Sequence, residues 1–259
     1  MSGGRIPQIP ALMVAASGCA APVQADIHMI GDSTMDDRSA AEAPGAGWGQ
    51  ALRALLAGQV AVHNHASSGR STKSFIDEGR WDRAREALQP GDALVIQFGH
   101  NDQKTDSPER YAEAWGAYSD NLRRFVREAR EAGATPILAT SICRRRFADD
   151  GQLRRTLGDY PAATRALAAE LKVVLVDLNE LTAEALSAFG PEASRDWYLH
   201  LPPGRHPGYP EGKTDNSHLS AFGAEAVARL FMAGLRSQQA DLAWVEATPP
   251  MPGQTERTP

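Results

Sequence analysis

Two cysteines, Cys19 and Cys143, are all that 259 residues contain, so no disulfide framework shapes the fold. Positive charge is not in excess. Lys and Arg number 27 against 32 Asp and Glu, a formal net charge of −5, which excludes binding a nucleic acid through a basic footprint. Beyond the N-terminal region no segment approaches the roughly 20 consecutive apolar residues that cross a bilayer as a helix. His63, His65, His100 and His206 are scattered, with no His-x-x-x-His spacing, so no metal site is read and no cofactor is implied. Neither Gly-x-x-x-x-Gly-Lys-Ser/Thr nor Gly-x-Gly-x-x-Gly follows the first strand candidate, which sets a nucleotide-binding α/β protein aside. Internal repeats and interdomain linkers are missing too. What remains is a chain with 42% hydrophobic residues, enough for one sizeable core.

Arg5, a short apolar stretch at 11–16 and then Ser17-Gly18-Cys19-Ala20 look like a lipoprotein signal, in which Cys19 is lipidated after cleavage. Pro7 and Pro10 interrupt its approach, and an unstructured extension is the plainer reading. The expectation is export to the periplasm, the exterior or a lipid anchor at Cys19, with a cytoplasmic location if 1–24 is no signal. A single domain is expected over 25–237. The tail at 238–259, with Pro249, Pro250, Pro252 and Pro259, reads as disordered.

Within the domain, apolar strand candidates at 27–30, 60–63, 93–98, 135–139 and 173–177 alternate with helical patterns. The latter fall at 48–57, 81–88, 111–132, 161–171, 191–197 and 221–235. Short, wholly apolar strands between helices imply a parallel sheet covered on both faces. Right-handed crossovers then give a three-layer α/β/α, doubly wound, five-stranded flavodoxin-like domain. Ligands bind such sheets at the carboxyl ends of the strands.

Four segments bear on that rim. Gly31-Asp32-Ser33-Thr34 ends the first strand and offers a nucleophile, or a plain turn with Asp32 or Ser33 as a helix cap. Asn64-His65-Ala66-Ser67-Ser68-Gly69-Arg70-Ser71 follows the second, where Gly69 lets a backbone N–H reach a ligand with no Cβ in the way, or again marks a turn. Gly99-His100-Asn101-Asp102 follows the third. Asn101 there can donate to a developing oxyanion, or Asn101 and Asp102 can serve as turn and cap residues. Finally Asp215-Asn216-Ser217-His218 precedes the last helix, and an Asp and a His three apart in a turn can pair, leaving one ring nitrogen free for a serine proton.

Taken together and in this order, these segments resemble the SGNH, or GDSL-type, hydrolases over roughly 27–235. The resemblance implies that Ser33, Gly69, Asn101 and His218 are the four namesake residues and that Asp215 completes a Ser–His–Asp triad. It implies an oxyanion hole built from Ser33, Gly69 and Asn101. Gly31-Asp32-Ser33-Thr34-Met35, Gly47-Trp48-Gly49, Phe98-Gly99-His100-Asn101-Asp102, Leu157-Gly158-Asp159-Tyr160-Pro161 and Asp215-Asn216-Ser217-His218 resemble the rhamnogalacturonan acetylesterase branch in particular, with Ser217 where threonine is more usual. That branch removes acetyl groups from pectin backbones. The implied protein is a monomeric serine carbohydrate esterase acting on an acetylated polysaccharide or oligosaccharide. Its rivals are an acetyl-xylan or small or lipid-like ester hydrolase and a non-catalytic carbohydrate-binding relative. Pectin carries carboxylates, which arginine grips with a planar fork. Arg70, Arg144 and Arg205 are therefore substrate-binding candidates along with His100, while Arg145 and Arg146 read as a solvated loop. Trp48, Trp197 and Tyr198 could stack on sugars or sit in the core.

Overall fold

Side chains that alternate along each strand feed two separate hydrophobic layers. In the computed structural model, which describes residues 25–38, 44–238, 242 and 245, five strands form one sheet. They are β1 (Ile27–Gly31), β2 (Val62–Asn64), β3 (Ala93–Gln97), β4 (Thr135–Ala139) and β5 (Val174–Val176). Their order is β2-β1-β3-β4-β5, and every neighbouring pair is parallel. The two central strands, β1 and β3, are buried along their whole length, which is why they read as unbroken apolar runs. Ile27, Met29, Val95 and Ile137 face one core, while Ile30, Leu94, Ile96 and Leu138 face the other. This is the two-residue period of a pleated strand.

The first layer is closed by α1 (Trp48–Leu55), α6 (Leu178–Ala193) and α7 (Ala221–Ser237). The second is closed by α2 (Thr72–Asp77), α3 (Arg80–Ala87), α4 (Ser119–Glu131) and α5 (Tyr160–Leu171). Since β2 lies on one side of β1 and β3 on the other, the chain reverses direction across the sheet between β1 and β3. Such a switch point opens a crevice at the carboxyl ends of the strands.

The α/β/α fold is as expected, and three local features differ. Helix α2 is one: Ser71 caps it through a capping box with Ser74, a serine standing where a Glu or Gln is the usual signal. The helix expected at 191–197 is instead the distorted end of α6, broken at Gly190 (φ 72°), followed by a 3-10 turn at Ser194–Trp197. The third is a two-stranded antiparallel arm, β6 (Tyr198–Leu201) with β7 (Lys213–Leu219), of which only 215–218 carries a structural expectation, that of a turn.

Candidate active site

The turn after β1 is held from below by buried polar groups. Asp32 accepts from the backbone N–H of Thr34 at 2.9 Å and its hydroxyl at 2.8 Å. Gln97 at the end of β3 donates to the Thr34 hydroxyl and accepts from the Trp48 indole N–H. The other oxygen of Asp32 lies 3.4 Å from His100 Nδ1. Burial alone would raise the Asp32 pKa, but the neighbouring His100 and the hydrogen bonds from Thr34 hold it below the usual carboxylate range. Helix α1 closes the turn: Trp48 and Gly49 donate their backbone N–H groups to the carbonyls of Thr34 and Met35, satisfying donors that a helix start leaves open. A Cβ on Gly47 would stand 2.1 Å from the Asp36 carbonyl, and one on Gly49 2.7 Å from that of Met35. The Gly-Trp-Gly segment therefore exists for close packing beneath Ser33.

The loop after β2 is pinned to the same turn. Asn64 donates to the Met35 carbonyl and to Asp37, and Asp36 accepts from the backbone and hydroxyl of Ser68. Gly69 follows at φ 81°, with nothing within 4 Å of where a Cβ would sit. Glycine is required here for its left-handed backbone, and the space beside it opens into the cleft. From β3, Asn101 donates through Nδ2 to the Arg70 carbonyl at 3.0 Å, leaving its second amide hydrogen unused. Among the described residues, the backbone N–H groups of Ser33 and Gly69 donate to no acceptor. Asp102 is structural: its Oδ1 accepts from the backbone and hydroxyl of Thr72 at the start of α2, and burial pushes its pKa to about 7.

His218 arrives on the arm. The pairs Tyr198↔Leu219 and His200↔Thr214 set two steps along β6 against five along β7, so residues 215–218 bulge out of the ladder. Inside the bulge Asp215 Oδ1 accepts from the backbone N–H groups of Ser217 and His218. Its Oδ2 lies 2.8 Å from His218 Nδ1, and His218 Nε2 lies 2.9 Å from Ser33 Oγ. The motif thus belongs to a strand, and the bulge does the work expected of a turn. Burial would raise the Asp215 pKa, yet the hydrogen bonds from the His218 ring and from the His218 and Ser217 backbones outweigh it and hold the group far below its ordinary value. Arg145 secures the bulge from behind, donating its backbone N–H to the Asn216 carbonyl and its guanidinium to Asn216 Oδ1, Ser194 and the Pro191 carbonyl. It is 9% exposed, and so is no part of a solvated loop.

Ser33, Gly69, Asn101, Asp215 and His218 line one open cleft of about 620 Å³. The substrate-binding candidates fare differently. Trp48 is fully buried, spent on Gln97 and packed on Phe231. His100 is buried beneath Ser33 against Asp32. Arg144 turns toward the Thr156 and His100 carbonyls. None of the three borders the cleft. Arg70 borders a smaller neighbouring groove, paired with Glu78, and Arg205 is exposed in the β6–β7 connection and does not line the cleft. Trp197 and Tyr198 are buried. The cleft wall is made instead by Arg38, Lys104, Leu199, Tyr209 and Lys213. No local pattern marks them, because the arm that brings several of them in was not legible. Among the described residues no cluster of His, Cys, Asp or Glu could hold a metal, and no helix is long and apolar enough to cross a membrane.

A doubly wound parallel sheet carrying a Ser–His–Asp array at its switch point is the build of a carboxylic ester hydrolase. The chain belongs to the GDSL-like lipase/acylhydrolase family, whose model matches residues 29–226. It is 44% identical over 214 residues to rhamnogalacturonan acetylesterase RhgT of Bacillus subtilis, covering 83% of this chain and 90% of that one. Among solved structures it is similar to protein YxiM of Bacillus subtilis (TM-score 0.71, 29% identity), over 85% of this chain and 58% of that one. Against a catalytic mutant of the acetylxylan esterase Axe2 from Geobacillus stearothermophilus the TM-score is 0.59 at 20% identity, over 85% of this chain and 95% of that one. The likeness to Axe2 is one of fold alone.

Proposed function

We propose that this protein removes acetyl groups from an acetylated rhamnogalacturonan, with Ser33 as nucleophile, His218 as general base and Asp215 as the group that orients His218. The observation that carries the reading is the 2.9 Å contact between His218 Nε2 and Ser33 Oγ, backed by Asp215 at 2.8 Å. Ser33 Oγ attacks the acetyl carbonyl carbon as His218 Nε2 takes its proton, and the imidazolium is steadied by Asp215. The oxyanion is received by the free N–H groups of Ser33 and Gly69 and the unused amide hydrogen of Asn101. His218 then returns the proton to the departing sugar oxygen. A water, deprotonated by His218, attacks the acyl-serine; acetate leaves and Ser33 regains its hydrogen.

The 44% identity to a rhamnogalacturonan acetylesterase supports the polymer, and an open cleft suits a bulky backbone presenting one acetyl group. Export is proposed on residues 5–20 alone, which lie outside the described residues, as does Cys19. Acetate release from acetylated rhamnogalacturonan, acetylated xylan and a long-chain ester tests the function, with Ser33→Ala as control. The expected result is Ser33-dependent release that is fastest on rhamnogalacturonan. Hydrolysis of xylan with rhamnogalacturonan untouched would overturn the reading.

A further inference from the structure

The cations around the cleft are not equally available. Among the described residues Arg38 has no carboxylate within ion-pair distance, but its guanidinium is held against the Ser33 carbonyl at 2.8 Å, and Arg70 is spent on Glu78 and the Ser68 carbonyl. Arg110 pairs with Glu109. Lys104 and Lys213 differ. Both line the cleft that holds Ser33 and His218, and among the described residues neither ammonium has a carboxylate within ion-pair distance. Lys213 Nζ lies 5.6 Å over the ring of Tyr209, itself a cleft residue. Lys104 is half-buried; that burial, then the charges of Arg110 and Arg144, draw its pKa down against the opposing pull of Asp32 and Asp106.

We propose that Lys104 and Lys213 form a carboxylate-binding subsite of the cleft, reading the uronate acid groups of the polymer on either side of the acetylated sugar. The inference rests on the polysaccharide reading above. A sugar acid fits better than a phosphate, because Asp37 and Asp215 share the cleft wall and repel a dianion more than a single carboxylate. Asp37 is already balanced by Arg53 at 2.7 Å, so it leaves the lysines free. Lysine reads charge without demanding a planar geometry, which suits carboxylates that recur along a flexible chain. The ring of Tyr209 offers a flat face beside Lys213 for the sugar bearing the acid. Lys213 also stands two residues before Asp215 on β7, so the strand that presents His218 also touches the substrate.

The test uses the whole enzyme hydrolysing an aryl acetate, with an unacetylated oligogalacturonate as competitive inhibitor and a neutral xylo-oligosaccharide of equal length as reference. The uronate oligomer is expected to inhibit far more strongly, and added salt should weaken that advantage. In Lys104→Gln and Lys213→Gln its inhibition constant should rise about tenfold per lysine, with a much smaller change for the neutral oligomer and partial recovery in Lys104→Arg. Equal inhibition by the two oligomers, or a Lys104→Gln/Lys213→Gln double variant inhibited as strongly as the parent, would sink the subsite. Acetate release from acetylated rhamnogalacturonan by the unsubstituted enzyme is scored separately. Release combined with lysine-independent inhibition removes the subsite and keeps the function, whereas lysine-dependent inhibition without release does the reverse.

Discussion

Histidine meets aspartate at the rim of the sheet and again beside the amino ends of β1 and β3, and the two pairs behave differently. At the rim, His218 is 34% exposed, with Asp215 on one nitrogen and the Ser33 hydroxyl on the other. Beside the strands, His28 lies 3.3 Å from Asp92 with both side chains almost wholly buried. Its second nitrogen faces not a hydroxyl but His65, at 3.0 Å, and His63 stacks on the ring. The chemical pair is the same. What sets the role is the partner of the second nitrogen and its access to solvent: a hydroxyl in an open cleft suits a proton relay, and a second, half-buried imidazole makes a structural contact.

The sharpest break of that comparison is the same substitution made in both places. Asp215→Asn removes the charge that fixes the His218 tautomer and steadies its imidazolium, and kcat should fall about 10⁴-fold with the melting temperature little changed. Asp92 accepts from the backbone N–H groups of Asp26 and Gln89. In Asp92→Asn an amide nitrogen must face one of those donors, so stability should drop by about 1–3 kcal/mol, with the pH profile of kcat retained. Steady-state kinetics and thermal melts on the two variants decide. Loss of activity from Asp92→Asn in a folded protein, or full activity in Asp215→Asn, would erase the difference between the two pairs.

A smaller effect separates relay from oxyanion hole. Asn101→Ala removes one donor to the oxyanion, and kcat should fall about 100- to 1,000-fold with KM much less affected. An equal loss through KM would instead mean that the broken tie to the Arg70 carbonyl had displaced the Gly69 loop.

How far the sequence revealed these regions follows from their physics. Strands β1, β3 and β4 are buried on both faces, so Leu94-Val95-Ile96 could hardly read otherwise. Ser33 and Asn101 could be placed because each lies within a few residues of the end of such a strand, whereas Gly69 follows the half-exposed edge strand β2 by five residues and was legible only through the motif around it. The arm was not legible: Lys213-Thr214-Asp215-Asn216-Ser217-His218 has no apolar alternation, since its bulge and exposure remove the one-sided burial that produces it. The wall residues Tyr209 and Lys213 were hidden with it. Composition also misled. An Arg-Arg-Arg run looks solvated, yet Arg145 turns inward to hold Asn216, and Trp48 looks like a sugar platform but fills the core under α1.

The smallest effect is read in acid. Burial, then the charges of His28 and His63, push the His65 pKa down to about 4. Burial first, then His63, also lowers that of His28, against the opposing pull of Asp92 and Asp26. The unfolded chain binds these protons near pH 6.5, so between about pH 6.5 and 4 it carries more of them than the folded protein. Stability must therefore fall as pH drops through that window and level off, for His65, below its folded pKa. The physical event is that His28 Nδ1 and His65 Nε2 share one hydrogen, and a second proton sets two donors face to face in a part-buried contact. Melting temperature should decline by a few degrees across the window, and His65→Gln should flatten that slope while leaving the distance from His218 to Ser33 untouched. An identical slope in His65→Gln would mean that the acid sensitivity resides elsewhere than in this cluster.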